Sequence, residues 1–438
     1  MNTRQLAEHI FLSGIRGVLP QKVIGDLVSL RGDQLKIGFQ TIDLSKAGKL
    51  FVLGAGKASA AMAHYIEVIL GNRISGGHVV TRYGHYCQLS YISITEAGHP
   101  VPDSNSFEAT KKIIQIAQQA AEEDIVICLF SGGGSALLAD YPSDCKPEDI
   151  SGLNDILVKS GADIREINTV RKHLSNVKGG NLMKHIWPAT CYTILISDVT
   201  NDPLDIIASG PTVPDDSTFI DAYKILERRQ LTDKVAPSVL EYLRHGIEGH
   251  HPENPKSGNS IFSKSNIYLA GNIRMALLSA ADEASRMDLT PVVVTSELYG
   301  DPAGACEYII NTALLYKIDN NFKKPACLLF GGETAIKVSG EGIGGRNQQL
   351  ALEAAVRLKY IPGITILSAG TDGTDGNSDV AGAVADCNTT ISKKALSLDP
   401  QYYLRNFDTY NYFRVAGGLI RTGPTFTNVM DMIVAIIE

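Results

Sequence analysis

Lys57 stands in the run Leu53-Gly54-Ala55-Gly56-Lys57-Ala58-Ser59, where an apolar stretch gives way to a helical one. Two glycines at such a junction allow a tight turn, and the free amides of a helix start attract anions. The spacing nearly fits the dinucleotide fingerprint G-x-G-x-x-G/A. However, Ser59 takes the third small position, and the next strand closes as His78-Val79-Val80-Thr81-Arg82, without the acid that holds a nicotinamide ribose. A Walker loop does not fit either, because its glycine spacing and lysine position differ. Gly54, Gly56 and Lys57 therefore form a candidate site for a phosphate or carboxylate. Ser131, Gly132, Gly133, Gly134 and Ser135 follow another apolar run. A plain turn needs one glycine; three in a row flanked by hydroxyls suggest a concave nest of backbone donors for phosphate. A serine elbow would need G-x-S-x-G instead.

Three further stretches carry charge in the same kind of setting. Asn168 to Leu182 reads as one helix ended by Gly179-Gly180, so Arg171 and Lys178, seven apart, share a face suited to an anion. Asp198 closes another apolar run, and Asp202 and Asp205 follow closely. Hard oxygen ligands of this kind suit Mg²⁺, while Asp202 before Pro203 also reads as a helix cap. Asp372, Asp375 and Asp379 lie among glycines, where a second magnesium-side carboxylate or simple turns would both fit. Glu333 follows a strand, and Gly344-Gly345-Arg346 opens a helix. An arginine there works against the helix dipole, which makes sense if Arg346 faces an anion also held by the free amides.

The elements that must position these groups follow a β-α-β rhythm from about Lys49 onward, the pattern of parallel sheets covered by helices. A polar, turn-rich seam from Glu248 to Ser265 divides it. The expected fold is α/β: two α/β domains with mostly parallel, Rossmann-like sheets and an active-site cleft between them. The first covers residues 1–247 and the second 266–438, with the first helix able to pack on the second domain.

Composition narrows the class. The chain has 438 residues, a formal net charge of -7 and 44% hydrophobic residues. That is a globular pattern without the basic excess of a nucleic-acid binder, and no apolar run is long enough to span a bilayer. Seven scattered cysteines without a CxxC pair read as free thiols in a reducing, cytoplasmic setting. His250-His251 shows no ligand spacing. A homo-oligomer is compatible with all of this.

Taken together, GAGKASAAM, LFSGGGSALL, NTVRKHLSNVKGG, ISDVTNDPLDIIASGPTVPD, GGETAIKVSGEGIGGRNQQLAL, SAGTDGTDGNSD and TGPTFTNVMDMIV resemble, in the same order, the glycerate 2-kinases of the MOFRL type. The resemblance spans about Leu50 to the C-terminus. It implies ATP-dependent transfer of a phosphoryl group to the 2-hydroxyl of D-glycerate, with Mg²⁺. It also places the family's active-site lysine on Lys57 and its arginine on Arg346. One of these would hold the glycerate carboxylate while the other neutralises the phosphoryl group. Asp198 and Asp372 would position Mg²⁺ or accept the hydroxyl proton. Some relatives bear the label hydroxypyruvate reductase, so an NAD(P)H-dependent reductase is the rival reading. A non-catalytic sugar-phosphate-binding protein is the second.

Overall fold

The computed structural model describes residues 1–438. They form two compact units: one is continuous, Val23–Ala270, and the other joins Met1–Lys22 to Gly271–Glu438.

The continuous unit opens with a small antiparallel sheet of β1 (Val28–Arg31), β2 (Gln34–Ile37) and β3 (Gln40–Asp43). Its main sheet contains β4 (Leu50–Ala55), β5 (Gly76–Arg82), β6 (Ser93–Ala97), β7 (Ile125–Phe130), β8 (Thr190–Ile196) and β9 (Ser265–Gly271). The spatial order is β6-β5-β4-β7-β8-β9, and the pairs from β6 through β8 are parallel. Every residue of β4 and β7 is buried, as continuous apolar runs require when helices cover both faces. The order reverses between β4 and β7. In open α/β sheets, ligands bind outside the carboxyl ends of the strands at such a reversal. Helix Ser104–Ala117 is capped by Asp103, whose carboxylate accepts the Ser106 amide at 3.1 Å.

The other unit holds β10 (Thr290–Leu298), β11 (Ala326–Gly332), β12 (Ile364–Gly370), β13 (Gly382–Asp386), β14 (Leu419–Ile420) and β15 (Asp431–Ile437). Their order is β10-β11-β15-β12-β13-β14. Here the expectation of mostly parallel pairing needs correcting. Only β10 and β11 are parallel, and the other pairs are antiparallel. A buried strand reads as an apolar run whichever way it points, so the pattern could not reveal that β15 enters reversed between β11 and β12.

Both expected boundaries also shift. The Glu248–Ser265 seam stays inside the continuous unit, where Asn254 bonds both Asn181 and Asp215, and β9 forms the edge of the first sheet. Turn-rich composition marks a loop but not a boundary. Helix Thr3–Gly17 packs on helix Ile273–Arg286 and on β12 and β15. Its Ile10 and Phe11 are fully buried, each contributing about 1.5–3 kcal/mol of transfer free energy. Arg4 anchors its start, pairing with Asp386 at 2.7 Å. All seven cysteines are free and five are buried. No helix is long and apolar enough to cross a membrane.

Candidate active site

Lys57 and the Ser131–Ser135 loop meet at the reversal in the first sheet. The Lys57 amide donates to the Gly132 carbonyl at 2.9 Å, and the Ala58 amide donates to Ser131 Oγ at 2.9 Å. The loops touch so closely that a Cβ on Gly56 would lie 2.2 Å from Ser131 Oγ, and Gly56 sits at φ 140°. Gly133, at φ 78°, leaves its missing Cβ 2.8 Å from the His99 ring and 3.4 Å from Lys57 Cγ. Glycine is needed at both positions for space and for backbone conformation. Ser131 is fully buried, and its hydroxyl supports the lysine turn from behind instead of capping a ligand. The expected phosphate contact at Ser131 is therefore corrected to a scaffolding one.

A cavity of about 520 Å³ opens beside this loop within the same unit. It gathers Gly133, Ser135, Arg171, Lys178 and Asp198 from three separate stretches of sequence. The single helix expected over Asn168–Leu182 is not formed. Helix Ile164–Lys172 ends first, Gly179 and Gly180 turn the chain at positive φ, and a new helix starts at Asn181. Arg171 and Lys178 thus reach one cavity without sharing a helix face, because the helix already ends at Lys172, before the glycines. Arg171 Nε donates to Asn154 Oδ1 at 2.6 Å, no carboxylate forms an ion pair with it, and burial lowers its pKa. Lys178 is buried and donates to the Leu138 carbonyl at 2.6 Å. Burial pulls its pKa down to about 8, Asp140 opposes that shift, and Arg171 adds to it.

The aspartates after β8 separate in role. Asp198 lines the cavity. Asp202 sits at φ 51° and caps no α-helix, since only the 3-10 turn Ile207–Ser209 follows. Asp205 lies 3.1 Å from Lys172 Nζ, and the buried Asp215 lies 3.6 Å from it.

The second cluster gathers at one end of the other sheet. Glu333 follows β11, Asp372 follows β12, and Asp431 begins the reversed β15. Arg346 is held bidentately by Asp431, with Nε at 2.5 Å and Nη2 at 3.0 Å, and its Nη1 bonds Glu333. Burial works against the guanidinium charge, but Asp431 and then Glu333 outweigh it and raise its pKa. The helix amides expected to hold an external anion are already taken: Asp375 accepts from Asn347 N at 3.0 Å and from Gln348 N at 2.9 Å. Burial drives the Asp375 carboxyl up to about 6 while those amides resist. Asp372 accepts from the Thr374 amide and hydroxyl at 3.1 and 3.0 Å, and exposed Asp379 pairs with Arg421 at 2.8 Å.

Sequence reasoning missed Asp431, Asn168 and Ser209. Asp431 lies 85 residues from Arg346, and only its place in DMIVAII, a charge opening an apolar run, hinted at a constrained role. The histidine reading also changes: His245, Glu248 and His250 offer ligand atoms within 4.8 Å of one another on the surface. The helix that ends at Ile247 and the turn after it bring them together.

Residues 6–244 match the domain of unknown function DUF4147, and residues 326–431 match the MOFRL family. A D-glycerate 2-kinase of Thermotoga maritima is 39% identical over 99% of this chain and 98% of its own. An Agrobacterium vitis relative, 39% identical over 88% of this chain and 86% of its own, carries a provisional name as a hydroxypyruvate reductase. A crystal structure of a glycerate kinase from Thermotoga maritima superposes with a TM-score of 0.87, at 39% identity and 99% coverage of both chains. A two-unit α/β protein with a glycine-lined lysine at its switch point and a carboxylate-held arginine is what these matches share a length and fold with. The chain belongs to the MOFRL-type family of glycerate 2-kinases.

Proposed function

We propose that this protein transfers the γ-phosphoryl group of ATP to the 2-hydroxyl of D-glycerate, giving 2-phosphoglycerate and ADP. The observation that carries the reading is the full-length match to a D-glycerate 2-kinase; the resemblance noted in the sequence assigns the family's lysine to Lys57 and its arginine to Arg346. The site chemistry agrees. Phosphoryl transfer depends on positioning and charge neutralisation and needs no covalent nucleophile.

Lys57 is fixed by its own backbone, tied to the Gly132 carbonyl, so its ammonium starts from a defined turn. Arg346, in the other unit, presents a planar fork already oriented by Asp431. One of the two neutralises the transferring phosphoryl group and the other holds the glycerate carboxylate. Gly54, Gly56, Gly132, Gly133, Gly134 and Ser135 shape the phosphate-binding turns; Arg171 and Lys178 add charge, and Glu333 orients Arg346. The oxygen-only carboxylates Asp198 and Asp372 fit the preference of Mg²⁺ for one or two such ligands with water and phosphate completing its shell. Mg²⁺ would supply further charge neutralisation there. Whichever of the two does not hold it would accept the hydroxyl proton.

A reductase would need an acid closing β5 to hold a nicotinamide ribose, and Arg82 stands there. The deciding experiment is a phosphorus NMR time course with MgATP and D-glycerate, beside tubes of hydroxypyruvate with NADH and NADPH. A 2-phosphoglycerate resonance with ADP is expected. Intact ATP with steady nicotinamide oxidation would overturn the kinase reading in favour of the reductase, and ligand binding without either reaction would favour a sensor.

A further inference from the structure

We propose that the cavity beside the Ser131–Ser135 loop seats the nucleotide, its base against the apolar wall and a phosphate on Arg171 and the Asn168 amide. This rests on the kinase reading and adds the seat and a donor to it.

The lining decides the occupant's character. Phe107, Ile150, Leu153, Val158 and Ile164 form much of a wall enclosing about 520 Å³. D-glycerate has almost no apolar surface to offer such a wall, whereas a nucleoside base does, and cavities of this size and lining commonly hold ligands of that bulk. The polar side is then left for an anion. Arg171 brings a guanidinium with no carboxylate pairing it, and a half-buried charge of this kind is costly until an anion arrives.

Asn168 supplies the second, independent sign. It is 1% exposed and lines the cavity. Its Oδ1 accepts from Ser209 Oγ at 2.7 Å, and Ser209 Oγ lies 2.8 Å from Ser135 Oγ. Because the Ser209 proton goes to Asn168, Ser135 must donate to Ser209. In that arrangement Asn168 Nδ2 has no hydrogen-bond partner. A buried, unpaired donor costs free energy that an acceptor-only ligand such as a phosphate would recover. The segment that holds Ser209 is strained as well: Ala208 and Ser209 adopt φ of 50° and 60° without being glycine. Strain of this kind persists where the surroundings enforce a functional geometry.

The test is calorimetric titration of ADP into the full chain, with steady-state kinetics for ATP and D-glycerate alongside. Asn168→Leu and Arg171→Met should each weaken ADP binding about 10–100-fold, as loss of a charge-assisted hydrogen bond does, with KM for D-glycerate nearly unchanged. Val158→Trp, at a rim position that is 61% exposed, should block ADP without disturbing the core, which covers the case in which Asn168→Leu does not fold. ADP binding unchanged in all three variants would overturn the proposal. So would a selective rise in KM for D-glycerate, which would put the acceptor in the cavity; either result leaves the kinase reading standing. Wild-type protein that forms no ADP from ATP and D-glycerate would instead sink that reading and this proposal together.

Discussion

Arg171 and Arg346 are both half-buried, yet their surroundings are opposite. Arg346 is gripped by Asp431 and Glu333, while Arg171 has an amide oxygen and no carboxylate. A paired guanidinium is held in place whether or not substrate is present, so its work is orientation. An unpaired one stores a desolvation cost that only an arriving anion relieves. The comparison teaches that a candidate site is recognised less by its charges than by which charges the protein leaves uncompensated.

The largest expected effect falls outside the pair and calibrates it. Lys57→Ala should lower kcat by about a thousandfold with the melting temperature nearly unchanged, as steady-state kinetics and calorimetry would show; equal loss of fold would make the lysine structural. Next, Arg346→Ala should lower kcat about a hundredfold. It should also destabilise the protein by about 2 kcal/mol, because Asp431 would be left buried and unpaired. Asp431→Asn should do the same more mildly, and urea unfolding of both variants would measure it. Arg171→Met sharpens the contrast: KM for ATP should rise about 30-fold, while the melting temperature stays level or rises because an uncompensated charge is gone. Loss of stability comparable to that of Arg346→Ala would erase the distinction.

The smallest expected effect is a pH dependence. The folded pKa of Lys178 is lowered to about 8, so its charge is complete below that value and lost as pH rises through it. ADP affinity should therefore weaken between about pH 7 and 9, and Lys178→Met should flatten the profile. For stability the sign is opposite. The unfolded chain keeps the proton to higher pH, so the fold gains stability above about pH 8.

The loops were legible because glycine and serine after a buried apolar strand have few other uses. Gly54-Ala55-Gly56-Lys57 and Ser131–Ser135 both landed at the switch point, and Arg346 opened its helix as expected. Partnership was not legible. Nothing local says that Asp375 fills the helix amides before Arg346 can share them with a ligand, or that Asp431, in a distant strand, sets the fork. Ser209 and Asn168 are 41 residues apart, and the orphaned amide between them exists only once both are folded. Strand direction was invisible for a similar reason, since hydrophobic periodicity records burial and not polarity.

β15 supplies both the middle of its sheet and, in Asp431, the grip on Arg346. During synthesis the ribosome delivers that strand after every other strand of its unit. A nascent chain halted before residue 431 could already have a finished Val23–Ala270 unit but no seated arginine. Arg346 is therefore oriented only with the arrival of the unit's last strand, so that a translation fragment able to fold in part should lack the held guanidinium.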